Sequence, residues 1–274
     1  MYRFLLTRQW VTLTLVALLL MPAMVKLGFW QFHRHEARVA HNNRVAQALA
    51  ADPVPVTRLT EPGGQVEERH RYRAVTATGR YDTDNEVVVR RRTAADGKQI
   101  GYFVLTPLVL ERGAGILLVN RGWVPPGADQ TVHPDTPEAP AGTVTVTGRL
   151  LPDETSARTG IKDRGGLPDR QVMLINSTQQ AEALGRPVLG GHIQLSATSP
   201  EPPAERSAEL VPEPDHSGIG AHMAYAVQWW LFTAAVPVGW VVLVRRELRD
   251  QAAAKRGEAS GEPALAGAGG GTAD

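Results

Sequence analysis

Two stretches of the chain are almost purely apolar, and the long region between them is not. The first covers residues 10–30. Arg3 and Arg8 precede it, Arg34 and Arg38 follow it, and its one charge, Lys26, lies near an end where a long side chain can snorkel to the interface. Trp10 and Trp30 lie roughly 30 Å apart along a helix, which matches the hydrocarbon core of a bilayer. Tryptophans at both ends are what interfacial belts look like. The second stretch, residues 223–244, carries no charge and runs straight into Arg245, Arg246 and Arg249. Pro237 interrupts it, as membrane helices tolerate. A cleaved signal peptide competes for the first stretch. Against it, no A-x-A-like site follows the apolar core and apolar residues continue to Trp30. The pattern therefore predicts two transmembrane helices, 10–30 and 222–244.

Two spans place both termini on one side. The first nine residues carry Arg3 and Arg8, and the tail 245–274 adds Arg245, Arg246, Arg249, Lys255 and Arg256. Basic residues close to span ends stay cytoplasmic. The reading is a multi-pass protein of a bacterial plasma membrane, with cytoplasmic termini and an extracytoplasmic region between the spans.

In that region the helical pattern continues to about residue 50, where Pro53 and Pro55 stop it. Period-two and β-branched runs then predict strands at 72–81, 86–92, 100–110, 115–124, 143–151, 172–175 and 192–196. Asp96-Gly97 and Arg112-Gly113 mark tight turns. Ser177 and Gln180 read as a capping box for a helix over 179–184. The fold class is therefore an α+β membrane protein, its two spans flanking an antiparallel β-rich domain, 31–196, built as a sandwich or partly open barrel. Residues 125–141 read as a long loop. Residues 197–221, rich in proline and glutamate, read as an extended linker, and the tail 245–274 as disordered.

Composition narrows the chemistry. The 274 residues carry a net charge of +1 and no cysteine. Nucleic-acid binding, which needs a basic excess on one face, has no support. Disulfides, thiolate metal sites and thioether haem attachment are excluded. No G-x-S-x-G, P-loop or H-E-x-x-H pattern is present, so nothing points to an enzyme.

Of the eight histidines, His33 and His35 read as solvated residues beside the first span. His222 stands out, at the outer end of the second span. On a helix Tyr225, Ala226 and Trp229 follow it at i+3, i+4 and i+7, on one face. Imidazole is a common axial ligand of haem iron; an interfacial histidine beside an aromatic belt is the plainer reading. Gln31 ends the first span at about the depth of His222. Gln228 lies nearly two turns inside the second span, where an amide needs a partner. The other helix is the simpler partner, a ligand's propionate or carbonyl the other. Arg90, Arg91 and Arg92 read as solvated protection of a strand edge. Arg121-Gly122-Trp123 reads either as a partner contact or as a structural corner.

Four blocks, in order, resemble the Surfeit locus protein 1 family of cytochrome c oxidase assembly factors. They are Leu27-Gly28-Phe29-Trp30-Gln31 with Arg34 and Arg38; Gly101-Tyr102 with Thr106-Pro107-Leu108; Val119-Asn120-Arg121-Gly122-Trp123-Val124-Pro125; and His222 with Tyr225-Ala226 and Gln228-Trp229-Trp230. Departures are Arg38 where the family has lysine, Gly220-Ala221 before the histidine, and Trp230 for the usual phenylalanine. The resemblance covers about residues 10–246. It implies a non-enzymatic role in maturing subunit I of an aa3-type oxidase, alongside other oxidase assembly factors. It also implies haem a as cofactor, with His222 on the iron; the residue pattern adds Tyr225, Trp229, Gln31 and Gln228 around it, and Arg121 and Trp123 as partner contacts. A cofactor-free scaffold that stabilises an assembly intermediate is the alternative.

Overall fold

The computed structural model describes residues 3–203 and 207–259. The chain divides into two compact units, residues 1–40 with 219–274, and residues 41–218. The first is built on a C-terminal helix, His222–Ala259, and on α1 (Arg8–Ala50) as far as Ala40, the rest of α1 belonging to the second unit; both helices are long and apolar enough to cross a membrane. The C-terminal helix runs well past Arg245. The disordered tail expected from 245 is therefore helical through Ala259, and the remainder of that expectation lies outside the described residues.

The second unit is a mixed sheet of eight strands: β1 (Val54–Pro55), β2 (Ala74–Tyr81), β3 (Val87–Thr93), β4 (Ile100–Leu110), β5 (Ile116–Val124), β6 (Thr143–Leu151), β7 (Gln171–Val172) and β8 (Val188–Ser199). Two small helices, α2 (Ser156–Thr159) and α3 (Ser177–Leu184), precede β7 and β8 respectively; the C-terminal helix is α4. The order is β1-β2-β6-β8-β5-β4-β3-β7, with a further β2–β4 pairing. That pairing, Gly79–Tyr81 against Leu108–Leu110, closes β2, β6, β8, β5 and β4 into a five-stranded barrel. β3 and β7 extend from the free half of β4 as an open flap. The expected partly open barrel is close to this, but the sheet is not purely antiparallel. β5 pairs with β8 in parallel, as β1 does with β2 and β3 with β7.

β5 shows why. Leu117 and Val119 fill the barrel with Val75, Val146, Leu150 and Ile193. Ile116 and Leu118, on its other face, pack with Val89, Leu105 and Ile175 against Ala181 and Leu184 of α3. A strand buried on both faces is a continuous apolar run, and β8, reached from β5 only after β6, α2, β7 and α3, has chain enough to return to it in parallel. The N-cap of α3 is Asn176, whose side chain accepts from the amide of Gln179 at 3.0 Å. Ser177, expected to cap, instead donates to Asp153 at 2.6 Å.

The expected extended linker is pinned in part along the barrel. Trp123 and Glu209 exchange backbone hydrogen bonds at 2.7 and 3.0 Å, and Arg149 donates to the carbonyl of Val211 at 2.6 Å. Gly122 allows the first contact. Its φ is +135°, and a Cβ there would run into the carbonyl of Glu209.

His192, on β8, is 3% exposed, and its Nδ1 has no hydrogen-bond partner among the described residues. Burial pushes its pKa down from 6.5 to about 4, against the opposing pull of Glu154 and Asp153. An unfolded imidazole takes up a proton near pH 6.5, the folded one only near pH 4. The contribution to stability is therefore complete above pH 6.5 and falls by about 3 kcal/mol on acidification towards pH 4. Urea unfolding of the full chain at pH 7 and pH 4.5 should show this loss, and His192→Leu should show a visibly shallower one. Equal pH slopes for the two proteins would rule the imidazole out.

Candidate functional site

The buried and half-buried positions of α1 include Trp10, Thr14, Ala17, Met21, Met24, Gly28, Gln31 and His35, spaced alternately by four and three. Those of α4 include His222, Ala226, Trp229, Thr233, Val236 and Trp240, with the same alternation. A 3.5-residue period is the seam of a left-handed helix pair. The pair is antiparallel and fastened at both ends. Trp240 Nε1 donates to Thr14 Oγ1 at 3.1 Å, and His222 Nδ1 lies 2.9 Å from Gln31 Oε1. These contacts are separated by about 26 Å of helix, close to the thickness of the hydrocarbon core.

Gly28 and Trp230 set the close approach near the His222 end. A Cβ at Gly28 would overlap the indole of Trp230, whose Cε2 lies 3.1 Å from that point. Phe29 and Phe32 stand against the same indole, with ring centroids 5.7 and 6.1 Å away, so it has little room to swing aside. The cysteine-free chain allows a direct test. In a Gln31→Cys/His222→Cys background a short bis-maleimide should join the two helices. Adding Gly28→Val should cut the yield, because overpacking of about 1–3 kcal/mol shifts such an equilibrium roughly 5-fold or more. Undiminished crosslinking would show that the pair does not depend on this contact.

The Gln31 contact orients the His222 ring. With the amide oxygen facing Nδ1, the Nδ1–H tautomer makes this hydrogen bond, and in that tautomer Nε2 carries the lone pair that binds a metal. Around it the predicted face divides. His222, Trp229 and the fully buried Ala226 lie on the seam. Tyr225 is 49% exposed and Gln228 is also exposed, so Gln228 does not turn towards α1 as the simpler reading expects. The physical reason is rotational: residues 225 and 228 sit on the flank of the helix, outside the arc α1 covers. Sequence reading missed Phe232, 48% exposed, which continues that flank and meets Trp229 edge to face at 6.2 Å. Its spacing, seven beyond Tyr225 and three beyond Trp229, was the available signal. The result is an outward stripe of Tyr225, Gln228 and Phe232 beside a hydrogen-bonded imidazole.

Arg121 and Trp123 are corrected as partner contacts. Each is 7% exposed. Arg121 forms an ion pair with Glu86 at 3.2 Å, donates from Nε to Thr106 Oγ1 at 2.9 Å, and also donates to the carbonyl of Pro137. Thr106 and Thr136 donate to the two oxygens of Glu86 at 2.6 and 2.7 Å. Trp123 donates from Nε1 to the carbonyl of Arg92 at 2.9 Å. Together they form a structural corner that ties the loop after β5 to the barrel. The arginine run is corrected too. Arg92 is 9% exposed and makes a two-pronged bond to Glu154 at 3.0 and 2.5 Å, while Arg90 lies over the ring of Tyr102. Only Arg91 is solvated. Among the described residues no group of three or more His, Asp or Glu side chains could hold a bare metal ion.

Residues 18–234 match the SURF1 family. An uncharacterized SURF1-like protein of Mycobacterium tuberculosis is 32% identical over 264 residues, covering 95% of this chain and 91% of the relative. Surfeit locus protein 1 of Xenopus tropicalis is 30% identical over 43% of this chain and 41% of its own. The cytochrome oxidase assembly protein SHY1 of Saccharomyces cerevisiae is 28% identical over 40% and 26%. With the family match spanning most of the sequence, from within the first long helix to the outward stripe on the second, this chain belongs to the SURF1 family.

Proposed function

We propose that this protein is a membrane-anchored assembly factor for an aa3-type cytochrome c oxidase, and that it assists the placing of haem a in subunit I. The yeast relative's name supports the assembly role. The observation that carries the cofactor reading is the imidazole of His222, fixed through Nδ1 by Gln31 and bordered by the Tyr225–Phe232 stripe.

The residues present fit a haem. His222 would hold the iron, and Tyr225, Trp229 and Phe232 would pack on the macrocycle. Gln228, an amide on the outer flank of a membrane span, would gain a polar partner that lipid cannot give. Haem a supplies the oxidase with redox chemistry, and one protein ligand suits temporary custody better than permanent binding. Gln31 orients the imidazole, and Gly28 keeps α1 close enough for it to do so. Both termini would be cytoplasmic and the barrel extracytoplasmic, a reading supported by the basic residues at the span ends.

The Gln31–His222 bond also favours a second reading. It is a good interhelical bond by itself, as a cofactor-free scaffold would use. The experiment for the assembly role is a reduced-minus-oxidised spectrum of membranes from a strain lacking the gene. A diminished haem a band, restored by the wild-type gene, is expected. An unchanged band in a strain with a single copy would end the proposal.

A further inference from the structure

A bulge in β3 opens a surface that the corner and the helix pair do not use. The β3–β4 register shifts between Arg90 and Arg92, leaving Arg91 unpaired in the ladder with a φ of +59°. A non-glycine residue in that region is uncommon, and bulges recur where a side chain must be re-aimed. Arg90 and Arg92 turn to internal partners, and Arg91 is left exposed at the edge of a groove of about 770 Å³. Arg90 and Arg164 also line it, as do Tyr102, Leu167 and Ile100, the last 64% exposed. Among the described residues no aspartate or glutamate lines it. Asp163, next to Arg164, is engaged elsewhere and accepts from Gln179 at 2.7 Å. Neither Arg91 nor Arg164 has an ion pair or hydrogen bond among the described residues.

We infer that this groove binds an acidic segment of a partner polypeptide. Guanidinium forks match carboxylates two bonds at a time, and unpaired exposed arginines pay little desolvation to do so. Exposed Ile100 and half-buried Leu167 give the groove an apolar share, as peptide sites have. The groove lies wholly in the β unit and its argument uses nothing of the haem reading.

The test uses the purified full chain in neutral detergent and a fluorescein-labelled decaglutamate peptide, followed by anisotropy. Wild type should bind, and more weakly as salt is raised. Arg91→Glu/Arg164→Glu should weaken binding about 10-fold or more, and Arg91→Gln/Arg164→Gln by less. Arg80→Glu, an exposed change on β2 outside the groove, should leave it unaltered. Thermal midpoints matching wild type would show the variants are folded. Absent binding, binding indifferent to the double changes, or equal loss with Arg80→Glu would overturn the inference. Binding of dihexanoyl phosphatidylglycerol that depends on Arg91 and Arg164, in the absence of peptide binding, would assign the groove to lipid head groups and overturn it too.

Discussion

Arg121→Ala should destabilise the β unit by about 3–5 kcal/mol, the cost of breaking a buried ion pair from one side. For a unit of this size that lowers the melting temperature by about 10 °C or more. The side chains of Arg121 and Glu86 are 7% and 6% exposed, so solvent screens the pair little. Removing the guanidinium leaves the Glu86 carboxylate buried with only the Thr106 and Thr136 hydroxyls, and the Pro137 carbonyl loses a donor. Glu86→Ala should cost a similar amount from the other side. The double change should cost clearly less than the sum, since each single change strands the other partner. Arg121→Met with Glu86→Leu should recover much of the loss, because well-packed apolar pairs often replace buried ion pairs without penalty. Melting curves of the full-length protein, followed by near-ultraviolet circular dichroism, would read all four. If Arg121→Ala melted within about 1 kcal/mol of wild type, the guanidinium would not be a structural anchor, and a role in contacting partners would return.

The second large effect concerns the cofactor. Produced in cells that make haem a, the purified wild-type protein should retain it, and His222→Ala should not. Gln31→Ala should weaken retention by about 10–100-fold without abolishing it, as expected for a group that orients a ligand. Phe232→Ala should weaken it too, by removing half-exposed aromatic surface from the stripe. A structural role alone would not produce this ranking. A helix pair weakened by losing the Gln31–His222 bond would suffer equally from either partner's removal. Equal losses in Gln31→Ala and His222→Ala, with equally reduced bis-maleimide crosslinking at a neutral cysteine pair, would therefore favour the scaffold. Haem a retained by His222→Ala at the wild-type level would sink the ligand assignment.

Much of this molecule is written in short windows of its sequence. The two long apolar helices follow from runs of hydrophobic side chains, which are long and apolar enough to cross a membrane. β4 and β6 have the boundaries predicted for them, Ile100–Leu110 and Thr143–Leu151, because alternation, turn glycines and β-branched residues act locally. That His222 and Gln31 lie at one depth was legible, and the structure joins them at 2.9 Å.

What the sequence left open depends on partners far along the chain. Closure of the barrel rests on three residues of β2 meeting β4, and the parallel β5–β8 pairing on a long connection that runs through β6, α2, β7 and α3. No local pattern encodes which distant strand a given edge will find. The fate of the arginines is decided in the same way. Arg92 and Arg121 are buried because Glu154 and Glu86 meet them from 62 and 35 residues away, while Arg91 stays in solvent because a bulge gives it no such partner. On α4 the helical period grouped Tyr225 with His222, but a period fixes only angles about one axis. Which part of that circle is covered, and which is left exposed, was set by where α1 lies against it: over Ala226 and beside Trp230, with Tyr225, Gln228 and Phe232 left outside.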